Sequence, residues 1–132
     1  MLESSLHKLI PTNVNTFAKL NHGKPYQFDR WDRDRNGSVC LYYRFEGSHG
    51  GKIYTKRLLA SEILTALRHL RDTGTLNRKA FERICPCSAS AGPCGFAVLG
   101  RIFEALGLVH YAGREGFELT NAVRATSLLS NR

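Results

Sequence analysis

Long apolar runs are missing from this chain of 132 residues, and their absence excludes a membrane-spanning helix from the expected architecture. The stretch MLESSLHKLIPTN breaks at Pro11 and has no small-residue cleavage site behind a hydrophobic core, so a cytoplasmic location is expected. Catalytic signatures are missing as well. The chain has no G-x-S-x-G elbow, no phosphate-cradling glycine loop, no H-E-x-x-H pair and no carboxylate cluster with a partnered lysine, so it does not read as an enzyme. Acidic side chains are scarce, with 11 Asp and Glu against 19 Lys and Arg and a formal charge of +8. Residues 1–57 carry ten basic and five acidic side chains and residues 58–132 carry nine and six, so the excess is spread along the chain. Such a balance fits a polyanionic partner, DNA or RNA, because phosphate contacts release counterions and demand little geometry. Solubility is the other use of the same charge.

Cysteine is sparse and clustered. Three of the four cysteines fall in ICPCSASAGPCGF, residues 84–96, a pattern unlike one that staples distant segments. Cys85, Cys87 and Cys94 form C-x-C-x6-C among Pro, Ser, Ala and Gly. Thiolates suit zinc or an iron–sulfur cluster, and Cys40, His69 or His110 could supply a fourth ligand. A redox-active thiol and ordinary buried loop cysteines are the competing readings. A second metal-like stretch is DRDRNGSV, residues 32–39, where Asp32, Asp34, Asn36 and Gly37 match the opening of an EF-hand loop. Its twelfth position is Tyr43 where a bidentate Glu is required, and the residues that follow alternate as a strand, so a hairpin turn is expected.

The hydrophobic period divides the chain. Leu2, Leu6, Leu9 and Ile10 give a short helix closed by Pro11, and Val14, Phe17 and Leu20 suggest another, stopped at Asn21-His22-Gly23. From Tyr26 the period becomes two: Val39, Leu41, Tyr43 and Phe45 alternate with Cys40, Tyr42 and Arg44 between turn-forming clusters. Tyr26–Trp31 and Lys52–Thr55 are its natural antiparallel partners, which predicts a small meander. Aromatic and basic residues interleave there, as in surfaces that stack bases and grip phosphates, although one face of such a sheet is ordinarily core.

Helical spacing returns with Leu59, Ile63, Ala66, Leu67 and Leu70, with Ser61 or a neighbour as cap and Thr73-Gly74 as stop. Thr75 is placed to cap a short helix from Leu76 to Ile84. Phe96, Leu99, Ile102, Phe103 and Leu106 mark a third helix ending at Gly107. Leu108–Tyr111 and Phe117–Thr120 then flank a Gly-rich turn as a hairpin, and a last helix runs from about Asn121 to Leu129.

Helix, short helix, helix and two-stranded ribbon over Leu59–Thr120 resemble a winged-helix domain, most typically in Leu99–Thr120. The resemblance implies that Phe96–Leu106 is the recognition helix, that the short helix braces it, and that Arg114 sits at the wing tip. The polar face of that helix offers Gly95, Ala97, Gly100, Arg101 and Glu104, so Arg101 is its one good reader of base edges. Arg78, Lys79, Arg114, Lys52, Lys56 and Arg57 would add phosphate contacts. The cysteine segment looks like the three-cysteine insert of iron–sulfur winged-helix regulators, with different spacing and placement. The expected architecture is therefore one α+β domain: residues 1–24 helical, 25–57 a small antiparallel meander, and 58–132 a winged-helix-like part packed on it. The expected function is nucleic-acid binding, as a DNA-binding regulator or accessory protein. A protein-interaction adaptor that dimerises through terminal helices, and a cysteine-based metal or redox sensor, are the alternatives.

Overall fold

The computed structural model describes residues 3–11, 16–20, 23–47 and 51–130. Leu2, Val14, the Asn21-His22 part of a stop signal, and the turn residues Ser48, His49 and Gly50 lie outside the described residues. The fold is α+β with an N-terminal antiparallel meander. In chain order the elements are α1 (Glu3–Leu9), β1 (Thr16–Phe17), β2 (Tyr26–Arg33), β3 (Val39–Glu46), β4 (Ile53–Leu59), α2 (Ala60–Thr73), β5 (Thr75–Leu76), α3 (Arg78–Ile84), α4 (Pro86–Ser90), α5 (Gly95–Ala105), β6 (Val109–Tyr111), β7 (Phe117–Leu119) and α6 (Ala122–Ser130).

The first sheet has the order β1-β2-β3-β4, all antiparallel. Strict alternation would send Phe28 and Trp31, three residues apart, to opposite faces. A bulge between Phe28 and Arg30 absorbs the odd residue, so that Phe28 pairs with Tyr43 and Trp31 with Leu41. Trp31 then reaches α1, stacking on His7 at 4.3 Å between ring centroids and donating from Nε1 to the Ile10 carbonyl at 2.9 Å. The β2–β3 hairpin closes at DRNG. There the Asp34 carboxylate accepts from the backbone N–H groups of Asn36 at 2.9 Å and Ser38 at 3.0 Å, which closes the turn.

Strand β4 is longer than expected and runs without a loop into α2. The helix N-cap position is accordingly Leu59, in extended conformation with no side-chain cap, in place of Ser61. Gly74 ends α2 in a left-handed conformation (φ 83°), its N–H returning to the Leu70 carbonyl at 2.8 Å. Two further expectations need correcting. Phe17 belongs to strand β1, because Thr16 and Phe17 pair with Gln27 and Tyr26. The cap of α3 is Asn77, whose Oδ1 accepts from the Ala80 N–H at 2.8 Å, because Thr75 and Leu76 pair with β7.

The second sheet has the order β5-β7-β6. Helix α5 lies so close to it that a Cβ on Gly100 would fall inside the Phe117 ring. One hydrophobic core serves both parts of the chain, joining Phe17, Leu41, Tyr43 and Leu58 of the meander to Leu67, Phe81, Phe96, Phe103 and Phe117. Burial of large apolar side chains at about 1.5–3 kcal/mol each is the main force holding the meander onto the helices.

Candidate functional site

The sequence-selected cations go to separate places. Arg101 is engaged within the fold: its side chain is 16% exposed, Nε donates to the Ala18 carbonyl at 3.0 Å, and Nη1 meets both Glu104 carboxylate oxygens at 3.0 Å. Eight of the eleven residues of α5 are buried, between the meander on one side and the β6–β7 hairpin on the other. The helix expected to enter a major groove is thus buried over most of its residues, and its Arg101 is held within the fold by the Ala18 carbonyl and Glu104. Arg114 stands exposed in the 3-10 turn Gly113–Glu115 at the hairpin tip, and Lys79 is exposed on α3.

Arg57 lies on the outer face of the meander, opposite Tyr42 in the β3–β4 register. This face neutralises itself. Asp29, turned outward at the bulge, meets Arg30 and lies 3.4 Å from Arg44; Asp32 lies 3.3 Å from Arg30; Asp34 lies 3.6 Å from Arg57. Asp32 titrates below the ordinary carboxylate range, chiefly because it accepts from the Arg33 N–H and then from Arg30. The Arg30 guanidinium also covers the Tyr42 ring at 4.4 Å. Exposed pairs of this kind contribute little stability, about 0–1 kcal/mol each, and their effect is to cancel charge.

On the other side the cations have no such partners. Lys52 sits 5.5 Å from the Tyr54 ring centroid, Tyr54 stacks on Phe45 at 5.6 Å, and Phe45 meets Tyr26 edge-on at 5.6 Å. The Lys19 ammonium lies over both Tyr26 and Phe45, at 5.4 and 6.0 Å. Beyond Tyr26 the surface dips into a cavity of about 280 Å³ lined by Lys19, Tyr26, Arg78, Pro93, Cys94 and Ala97. Arg78 donates to the Pro93 carbonyl at 2.9 Å while its guanidinium covers Phe96 at 4.9 Å, and the Lys56 side chain lies beside Gly92. Among the described residues no carboxylate comes within 4.0 Å of Lys19, Lys52, Lys56 or Arg78. The fold thus gathers three of the sequence-selected cations, Lys52, Lys56 and Arg78, and adds Lys19. Lys19 escaped sequence reading because its segment scans as a helix.

The corner that presents Gly92 and Pro93 is built by the cysteine segment. Residues expected as loop form α4, with Pro86 at the first helical turn. Glu62 of α2 holds it, accepting from the Cys87 N–H at 3.1 Å, the Ser88 N–H at 2.7 Å and the Ser88 hydroxyl at 2.6 Å. Ser88 Oγ accepts in turn from the Leu59 N–H at 3.0 Å, which ties α4 to the end of β4. The three thiols diverge. Cys85 is buried and donates to the Glu62 carbonyl, and burial pushes it up to about 12. Cys87 is exposed, and Cys94 is half-buried beside the Tyr26 hydroxyl. Among the described residues no group of three or more His, Cys, Asp or Glu side chains is gathered in one place. Cys40, offered as a fourth ligand, is buried on the meander near Asp34, and burial followed by that carboxylate raises its pKa. His110 pairs with Glu118 at 3.5 Å. Among the described residues no helix is long and apolar enough to cross a membrane.

No protein-family model, curated protein or solved structure matches this chain.

Proposed function

We propose that this protein binds nucleic acid along the strip formed by Lys52, Tyr54, Phe45, Lys19 and Tyr26 and bounded by Lys56 and Arg78. The observation that carries this reading is the interleaving of four cations, which have no carboxylate partner among the described residues, with a row of aromatic rings running from exposed Tyr54, at 38%, through half-buried Phe45 to buried Tyr26. Ammonium and guanidinium groups neutralise phosphates and release counterions. Aromatic faces stack on unpaired bases whatever their sequence, at about 1–3 kcal/mol per base. The combination favours a single strand of DNA or RNA over a regular duplex, whose bases are already stacked.

The element order α2, β5, α3, α5, β6, β7, with the short α4 inserted between α3 and α5, and the sheet order β5-β7-β6 support reading residues 59–120 as a winged helix. In this reading the meander covers the face that winged-helix proteins commonly place in a groove. The strip takes over the contact with phosphates, and the role is that of an accessory or regulatory nucleic-acid-binding protein whose affinity is dominated by charge.

The test is fluorescence anisotropy with a labelled single-stranded oligonucleotide and its duplex across about 50–200 mM salt, over which a protein making several phosphate contacts weakens by orders of magnitude. Micromolar or tighter binding of the single strand with a steep salt dependence is the expected result. Absence of binding to either probe at the lowest salt would overturn the proposal.

A further inference from the structure

The self-neutralisation of the outer face stops at the hairpin end of the meander. A polar cleft of about 310 Å³ opens there, lined by Arg33, Asp34, Arg35, Asn36, Tyr42 and Arg57. Three guanidinium groups surround a single carboxylate, which leaves two positive charges uncancelled. Asp34 is 11% exposed and bound into the turn: Oδ1 accepts from the Asn36 and Ser38 N–H groups, and Oδ2 lies 3.6 Å from Arg57 and 3.9 Å from the Cys40 thiol. Arg33 reaches across the turn to donate to the Gly37 carbonyl at 2.7 Å. Neither Arg33 nor exposed Arg35 has a carboxylate within 4.0 Å among the described residues. An independent observation concerns Arg57. Its side chain is 32% exposed, but Nε is enclosed and lacks a hydrogen-bond partner among the described residues, because the Asp34 oxygen lies beyond hydrogen-bond reach. Buried donors of native proteins are normally satisfied, so Arg57 is a guanidinium set in place by charge, with the outer arms of its N–H fork open to an incoming acceptor.

Three arginines around one cleft differ in kind from the lysines of the strip. An ammonium is a compact, strongly hydrated point charge that suits a polyanion held in loose geometry, whereas the planar guanidinium fork matches the oxygens of one phosphate in pairs. Two uncancelled charges match a phosphate monoester, which carries about −1.5 to −2 charges at neutral pH and three free oxygens. A strand is a poor occupant. Its continuation across the outer face would run over arginines already paired with Asp29 and Asp32, and would gain nothing from them. The volume of the cleft is at the lower end of the range for small-ligand sites, which calls for a compact molecule.

We infer that this cleft binds a small molecule through its phosphate monoester group. It is a ligand site separate from the strip, and it stands independently of the nucleic-acid reading.

The experiment is a nuclear magnetic resonance titration that follows the enclosed Arg57 Nε–H and the backbone amides of Asn36 and Ser38. The probes are phenyl phosphate, a monoester, and dimethyl phosphate, a diester with one charge that stands for a strand backbone. Phenyl phosphate should shift all three signals saturably, with a Kd of about 1 mM or tighter, and dimethyl phosphate should bind about tenfold more weakly. Arg35→Ala, a change in an exposed turn outside the core, should weaken phenyl phosphate about tenfold. Arg57→Lys, which keeps the charge and loses the fork, should do the same. Both variants should bind a single strand along the strip within about twofold of the unmodified protein. Equal affinity for monoester and diester would overturn the inference, because the cleft would then answer to any strand backbone. Shifts that grow without saturating, or saturable binding unaltered in both variants, would overturn it as well. Loss of single-strand binding in Arg35→Ala would also do so, by placing the cleft within the nucleic-acid interface.

Discussion

The outer face of the meander and the strip carry similar numbers of cations and differ in where the carboxylates stand. On the outer face Arg30, Arg44 and Arg57 each have Asp29, Asp32 or Asp34 within ion-pair reach. Along the strip, Lys19, Lys52, Lys56 and Arg78 have none among the described residues. A formal charge of +8 is therefore a poor guide to where a polyanion would sit. What matters is which cations the fold leaves uncompensated, since only these raise the local potential that attracts phosphate.

The sharpest way to break this comparison is to remove charge from the strip. Lys56→Ala combined with Arg78→Ala should weaken single-strand binding by about 100-fold at low salt and reduce the slope of log affinity against log salt by about two. Anisotropy titrations at several salt concentrations measure both quantities. An unchanged slope would mean that these side chains meet no phosphate and that the strip is not the interface.

A smaller effect is expected from the support beneath the strip. Glu62→Gln keeps the shape of the side chain but removes the charge from the bonds that hold Ser88 and the Cys87 amide. Loss of this charge assistance should cost about 1–3 kcal/mol in urea denaturation and weaken strand binding only several-fold. The outer face does not rest on α4, and its ion pairs should be insensitive to the change. Equal stability of the variant would show that α4, and with it the Gly92–Pro93 corner, is held by packing alone.

Much of the architecture was legible from local signals. The periods of α2 and α5, the stop at Gly74, the β6–β7 hairpin and the DRNG turn all depend on neighbours within a few residues. What escaped depends on distant partners. Helix α4 is too short to declare itself, and Glu62, some 25 residues upstream, organises it. Thr16 and Phe17 are a strand only because Tyr26 and Gln27 pair with them, and Phe17 scans equally well at helical spacing. Arg101 reads as a base contact from its own helix, while the bond from its Nε to the Ala18 carbonyl, 83 residues away, has no local signal. The site itself could be read only as a surplus of charge. Sorting that surplus required the bulge that turns Asp29 towards Arg44.

Alkaline titration probes the buried interior shared by the two faces. Cys85 is pushed from 9.0 in its ordinary state up to about 12, and burial raises Tyr26 and Tyr43 in the same direction. A raised folded-state value means that the native protein holds the proton more tightly than the unfolded chain, so the stability involved is complete below pH 9 and is lost as pH climbs towards 12. Denaturation curves across that window should show falling stability, with a shallower fall in Cys85→Ala. Identical slopes in the two proteins would place Cys85 in a more solvated environment than its 0% exposure indicates.

The smallest expected effect is the most discriminating one. Arg44→Ala removes a cation as exposed as many in the strip, at 48% of its side chain, but one already set against Asp29. Its loss should change stability by no more than about 0.5 kcal/mol, in keeping with an exposed ion pair. Strand affinity should stay within about twofold, because removing an already compensated charge scarcely alters the potential over the strip. A general attraction of a basic protein for a polyanion would make every arginine equivalent, and Arg44→Ala would then weaken binding as much as a single strip substitution. A silent Arg44→Ala beside a damaging Arg78→Ala would locate the interface on one face of the sheet.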